Sequence, residues 1–111
     1  MPVPPSDVRA EAARGLELRR EHGRGGTAIG VARARDLANG RDVSMSTIRR
    51  MVAYFARHEV DREGQGWRRG EPGYPSAGKI AWLLWGGDAG RAWARRELAR
   101  YERSRDQGDD R

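Results

Sequence analysis

The chain contains no cysteine. That excludes a disulfide framework, a thiol nucleophile and thiolate metal sites. Lysine is nearly missing as well: Lys79 stands alone, and the other 21 of the 22 basic residues are arginine. No apolar run approaches the roughly 20 residues that span a bilayer. The opening Met1-Pro2-Val3-Pro4-Pro5 lacks the charged-then-apolar order of a secretory signal. These absences lead us to expect a soluble protein of the cytoplasm with no membrane partner.

What remains is enough for one small domain. The chain has 111 residues, and 37% are hydrophobic, but 15 of those are alanine. Larger apolar side chains are few, so one core and no second domain is expected. Four Trp, three Tyr and one Phe supply the bulk around which it can fold. The formal net charge is +6. Arginine offers a planar fork that matches phosphates and base edges, so a polyanionic partner is favoured.

Helical periodicity runs through most of the chain, and the expected class is all-α, a bundle of four to five helices. Residues 1–5 form a Pro-rich lead, 6–103 the domain, and 104–111 a polar tail expected to fray. Ser6 is a candidate cap for a first helix, with Val8, Ala12, Leu16 and Leu18 as a thin inner face and Gly23 as its stop. Thr27 suits the start of a second helix, which reaches Asn39 before Gly40 and turns Val31, Ala34, Leu37 and Ala38 inward. Arg33 and Arg35 point to solvent in this reading. Ser44 opens a third helix, where Ile48, Met51, Val52 and Phe55 repeat at i, i+3, i+4, i+7. Residues 61–78 hold five Gly and two Pro, and no regular element fits them. Ser76 or Ala77 begins a short helix of almost unbroken apolar residues ending at Trp85. Asp88 is a candidate cap for a last helix over residues 89–103, with Ala94, Leu98 and Tyr101 inward and Trp93 beside them.

Two groups of residues carry the candidate chemistry. Residues 28–58 read as a helix-turn-helix-like pair, whose second helix enters the major groove by its N-terminal end. Ser46, Thr47, Arg49 and Arg50 would then meet base edges, and Arg57 the backbone. An ordinary helical hairpin with a solvated basic face fits the same pattern. The second group lies in loops: Arg24, Arg68, Arg69 and Lys79, with Gly neighbours that let backbone N–H groups approach a phosphate. Trp67 among them is free to stack on a base, whereas Trp82, Trp85 and Trp93 belong to the core.

Signatures of catalysis are weak, and no enzyme, cofactor or metal is expected. His58-Glu59-Val60-Asp61 lacks the second His of a zinc motif. Both histidines sit where they can cap or pair at helix C-termini. No Walker A string and no Gly-x-Ser-x-Gly elbow occurs.

Three stretches stand out together: residues 25–35, residues 47–61, and residues 73–90. The last includes Tyr74-Pro75-Ser76 and Trp82-Leu83-Leu84-Trp85-Gly86-Gly87-Asp88. They resemble a small module of tailed-phage and prophage proteins, found at times within larger virion-assembly proteins. The resemblance implies phage origin, in a host cytoplasm or associated with a virion, and a role in DNA handling or particle assembly. Two functions are expected from these readings. One is a basic domain that binds DNA or RNA through its arginine faces. The other is a structural or host-interaction module that binds a phage or host protein, in virion assembly or in inhibition of a host system.

Overall fold

Among residues 2–109, which the computed structural model describes, the chain forms five α-helices and no strand. They are α1 (Ser6–His22), α2 (Ala28–Ala38), α3 (Met45–His58), α4 (Ala77–Leu84) and α5 (Gly87–Asp109), with a 3-10 turn at Glu59–Glu63. No helix among these residues is long and apolar enough to cross a membrane.

Three of the helix starts follow from a hydroxyl cap. Thr27 Oγ1 accepts from the Gly30 amide at 3.3 Å, Ser44 Oγ from the Thr47 amide at 3.1 Å, and Ser76 Oγ from the Lys79 amide at 3.0 Å. Each satisfies an otherwise orphaned N–H and is worth about 1 kcal/mol. The other two starts differ from expectation. Pro5 takes the cap position of α1 and Ser6 is already helical, while Asp7 Oδ1 accepts from the Val8 amide at 2.8 Å. Asp88 lies inside the first turn of α5 and accepts the Trp82 indole N–H at 3.0 Å instead of capping the helix.

Helix α4 is the centre of the molecule. Ile80, Trp82, Leu83 and Leu84 are all buried on its eight residues. The α1 helix crosses it closely because Gly15 has no side chain: a Cβ there would stand 2.7 Å from the Leu84 nitrogen and 2.9 Å from the Leu83 carbonyl carbon. The buried stripe of α1 is therefore Val8, Ala12, Gly15 and Leu18, with Leu16 only partly covered. On the other side, Phe55 of α3 meets Trp82 edge to face at 4.7 Å, and Trp93 and Ala94 of α5 complete the core.

The helix-turn-helix-like pair is not formed. Among the described residues, α2 packs on α1 and α4 while α3 packs on α5, and the two helices of the expected pair do not touch closely. The reason is an aromatic wedge. Trp85, at the C-terminal end of α4, lies beside Gly30 of α2 and stacks on Tyr54 of α3 with ring centroids 4.6 Å apart. Arg33, expected in solvent, lays its guanidinium over the Trp85 ring at 5.8 Å and is only 16% exposed.

The long Gly/Pro/Trp segment is ordered by local and distant contacts. It begins as the 3-10 turn. Trp67 then inserts against Trp82, and the Ser76 amide closes back on the Gly66 carbonyl at 2.8 Å. Gly66 adopts φ +88°, and a Cβ there would sit 2.8 Å from the Gly73 oxygen, so only glycine fits. At the other end of the chain, α5 runs to Asp109, beyond the Arg103 expected. No Gly or Pro interrupts residues 91–107. Arg100 pairs with Glu97 at 3.4 Å and Arg105 lies over Tyr101, which favours continuing the helix. Asp110 and Arg111 of the expected tail lie outside the described residues.

Candidate functional site

Helix α3 carries two stripes. Ile48, Met51 and Phe55 point into the core. Arg50, Ala53, Tyr54, Arg57 and His58, continued by Asp61, recur at i, i+3, i+4, i+7, i+8 and i+11 and line an open cleft. Ile29 of α2 and its cap residue Thr27 form the opposite wall. Ala77, Gly78 and Ala81 of α4, with Trp85 at its C-terminal end, form the floor. The cleft has a volume of about 570 Å³. It exists because the aromatic wedge holds α2 and α3 apart while the floor residues are too small to fill the gap.

Tyr54 is the most unusual residue of the cleft. It is 5% exposed, stacked on Trp85 and tilted against His58 at 4.6 Å. Its hydroxyl is buried and has no hydrogen-bond partner among the described residues. Burial pushes the phenol well above its ordinary range, and the nearby Asp61 carboxylate adds to the effect. Beside it, His58 Nδ1 and Asp61 Oδ2 approach to 3.2 Å. That carboxylate fixes the imidazole at the end of α3. Arg50 and Arg57 stand on the same stripe and make no ion pair among the described residues. Arg33 nearby is pushed below the usual arginine range, first by burial and also by Arg50, while Asp36 partly opposes the shift.

The remaining expected contact residues lie elsewhere. Arg68, Arg69 and Lys79 line a second basin of about 640 Å³ together with Arg14 and Arg62. Glu11, Glu59 and Glu63 are interleaved with them, so this basin is of mixed charge. Lys79 and Leu83 on its wall are half a turn from Gly78, Ala81 and Trp85 on the cleft floor. At 3.6 residues per turn, the two concavities therefore occupy opposite faces of α4. A third, small notch of about 150 Å³ gathers Arg19, Arg20 and Arg35 beside Leu16 and Val31.

Several expected contacts are engaged internally. Arg24 donates to the carbonyls of Gly73 at 3.3 Å and Pro75 at 2.9 Å, strapping the long loop. Arg49 lies over Tyr101 of α5 at 5.5 Å. The Thr47 hydroxyl accepts from Ser44 at 3.1 Å, and Ser46 is exposed next to it. Trp67 is 8% exposed, with Trp82 against its edge and the Lys79 ammonium 4.7 Å from its ring centre. It is a core residue with no free face for a base, because burying an indole outweighs leaving it in a loop. Arg50 and Arg57 come together, as do Arg68, Arg69 and Lys79, but the arginines do not converge on one footprint.

Sequence reasoning missed Tyr54, Ile29 and the His58–Asp61 pair as parts of one site. The signal for most of it was the second α3 stripe, which reads as a solvated basic face until α2 is placed opposite. Among the described residues, no cluster of His, Asp or Glu is arranged to hold a metal. Scanned against models of protein families, curated protein sequences and solved structures, the chain gives no significant match. The class defined by the fold is thus a small all-α bundle with a side cleft.

Proposed function

We propose that the chain is an interaction module of phage type that binds another protein through the α2–α3 cleft, in particle assembly or in inhibition of a host system. The observation that carries this reading is the lining of the cleft. Its floor is alanine and glycine beside the Trp85 indole, and its mouth holds Ile29, 63% exposed. Tyr54 is stacked on Trp85 and tilted against His58, and Arg33 lies over Trp85. The cleft therefore offers space for an aliphatic or aromatic side chain and no open platform on which successive bases stack.

The test uses cleft variants. Ala53→Leu fills the space with a good helix former, and Ile29→Glu charges the mouth. Capture of a phage or host protein from infected-cell lysate, unaffected by nuclease and lost in both variants, supports the reading. Capture that both variants leave intact rejects it.

A second reading is favoured by one specific observation. The notch of Arg19, Arg20 and Arg35 contains no carboxylate, and Arg68 and Arg69 make no ion pair among the described residues. A basic domain that holds DNA or RNA phosphates through these arginines fits the net charge of +6. Its test is a titration with DNA and with RNA at two salt concentrations. Binding that falls steeply with salt and is weakened by Arg20→Gln and Arg68→Gln supports this second reading. No binding at low salt removes it.

A further inference from the structure

Resting on the protein-binding reading, we infer that the cleft takes an apolar side chain of a partner segment flanked by carboxylates. Two independent features of the cleft specify this occupant.

The first is shape. A cavity of about 570 Å³ lies within the range of small-molecule pockets and is large enough for a Leu or Phe side chain with adjoining main chain. Its depth depends on Ala53, Ala77, Gly78 and Ala81. Asp61 takes the space that a side chain at Gly78 would fill, with its Cβ 3.0 Å from that position.

The second feature is charge. Arg50 and Arg57 flank the opening seven residues apart on α3, two turns along one face. The one carboxylate in the lining, Asp61, faces His58. Among the described residues the rim is thus cationic and unpaired, and it complements acidic residues on either side of the inserted side chain. Lysine or arginine flanks meet like charge and are rejected.

The experiment follows the indole N–H signal of Trp85 by NMR, assigned with Trp85→Phe. The probes are the blocked peptides Asp-Leu-Leu-Asp and Lys-Leu-Leu-Lys, and a thymidine oligonucleotide. The acidic peptide is expected to shift the Trp85 signal and to bind about tenfold more tightly than the basic one. Arg50→Gln with Arg57→Gln should erase that preference.

Equal binding of the two peptides overturns the selection for acid while leaving the cleft as a protein site. No shift with either peptide at millimolar concentration overturns the inference outright. If the oligonucleotide then shifts Trp85, the protein-binding reading falls with it.

Discussion

Replacing Tyr54 by Phe should make the free protein more stable. The hydroxyl is buried without a partner, and such a group destabilises the fold by about 1–3 kcal/mol relative to its hydrated state. Phenylalanine keeps the ring, and with it the stack on Trp85 at 4.6 Å and the edge contact with Phe55 at 5.3 Å. Removing one oxygen leaves a small void whose cost takes back part of the gain. A net stabilisation of about 1 kcal/mol is expected, near the low end of the range. For a domain of this length that corresponds to a rise in Tm of about 4 °C. Calorimetry and urea unfolding both measure it, and the urea slope should stay constant, since the buried surface hardly changes. Tyr54→Ala is the control. It removes the whole ring from between Trp85 and His58 and should destabilise by about 3 kcal/mol or more. A fall in Tm for Tyr54→Phe would refute the reasoning, because it would mean that the hydroxyl has a partner in the free protein.

Other substitutions test other parts of the account. Gly15→Ala places a methyl within 3 Å of the α4 backbone, which cannot yield as a flexible side chain would. It should destabilise the fold by about 2–3 kcal/mol in urea unfolding. Glu11 is held above the ordinary glutamate range by burial, opposed by Lys79 and reinforced by Asp88 and Asp7. Its folded state therefore binds the proton more tightly than the unfolded one, and the contribution is fully present below the ordinary value and lost as pH rises through the folded one. Glu11→Gln should accordingly raise Tm at pH 7 and change it little near pH 4, as thermal scans at the two pH values will measure. Arg24→Ala releases the carbonyls of Gly73 and Pro75 and should lower stability by about 1 kcal/mol. Faster amide hydrogen exchange should follow in residues 66–74, and unchanged protection there would contradict the strap.

The placement of each element reflects how local its cause is. Hydroxyl caps at Thr27, Ser44 and Ser76 act within three residues, so their positions could be read along the chain. Gly23 ends α1 in a left-handed conformation for the same local reason. The core stripe of α3 needs only a 3.6-residue repeat. His22 and His58 at the last residues of α1 and α3, beside Glu21 and Asp61, are local as well. By contrast, the buried face of α1 depends on Gly15 meeting α4, a contact across about 70 positions of sequence that no periodicity reveals. Trp67 reads as a loop residue because its neighbours are Gly and Arg, yet its burial is decided by Trp82.

The amino-acid sequence alone determines an all-α chain, its main helix starts, the inward residues of its most amphipathic helix and its arginine-based positive charge. Each of these follows from residue type or short-range spacing. Only the tertiary structure decides that α2 and α3 part around Trp85 and Tyr54, that a cleft opens between them, and that the arginines divide between opposite faces of α4. Those outcomes depend on which distant side chains meet, and packing of large rings against glycine and alanine settles them.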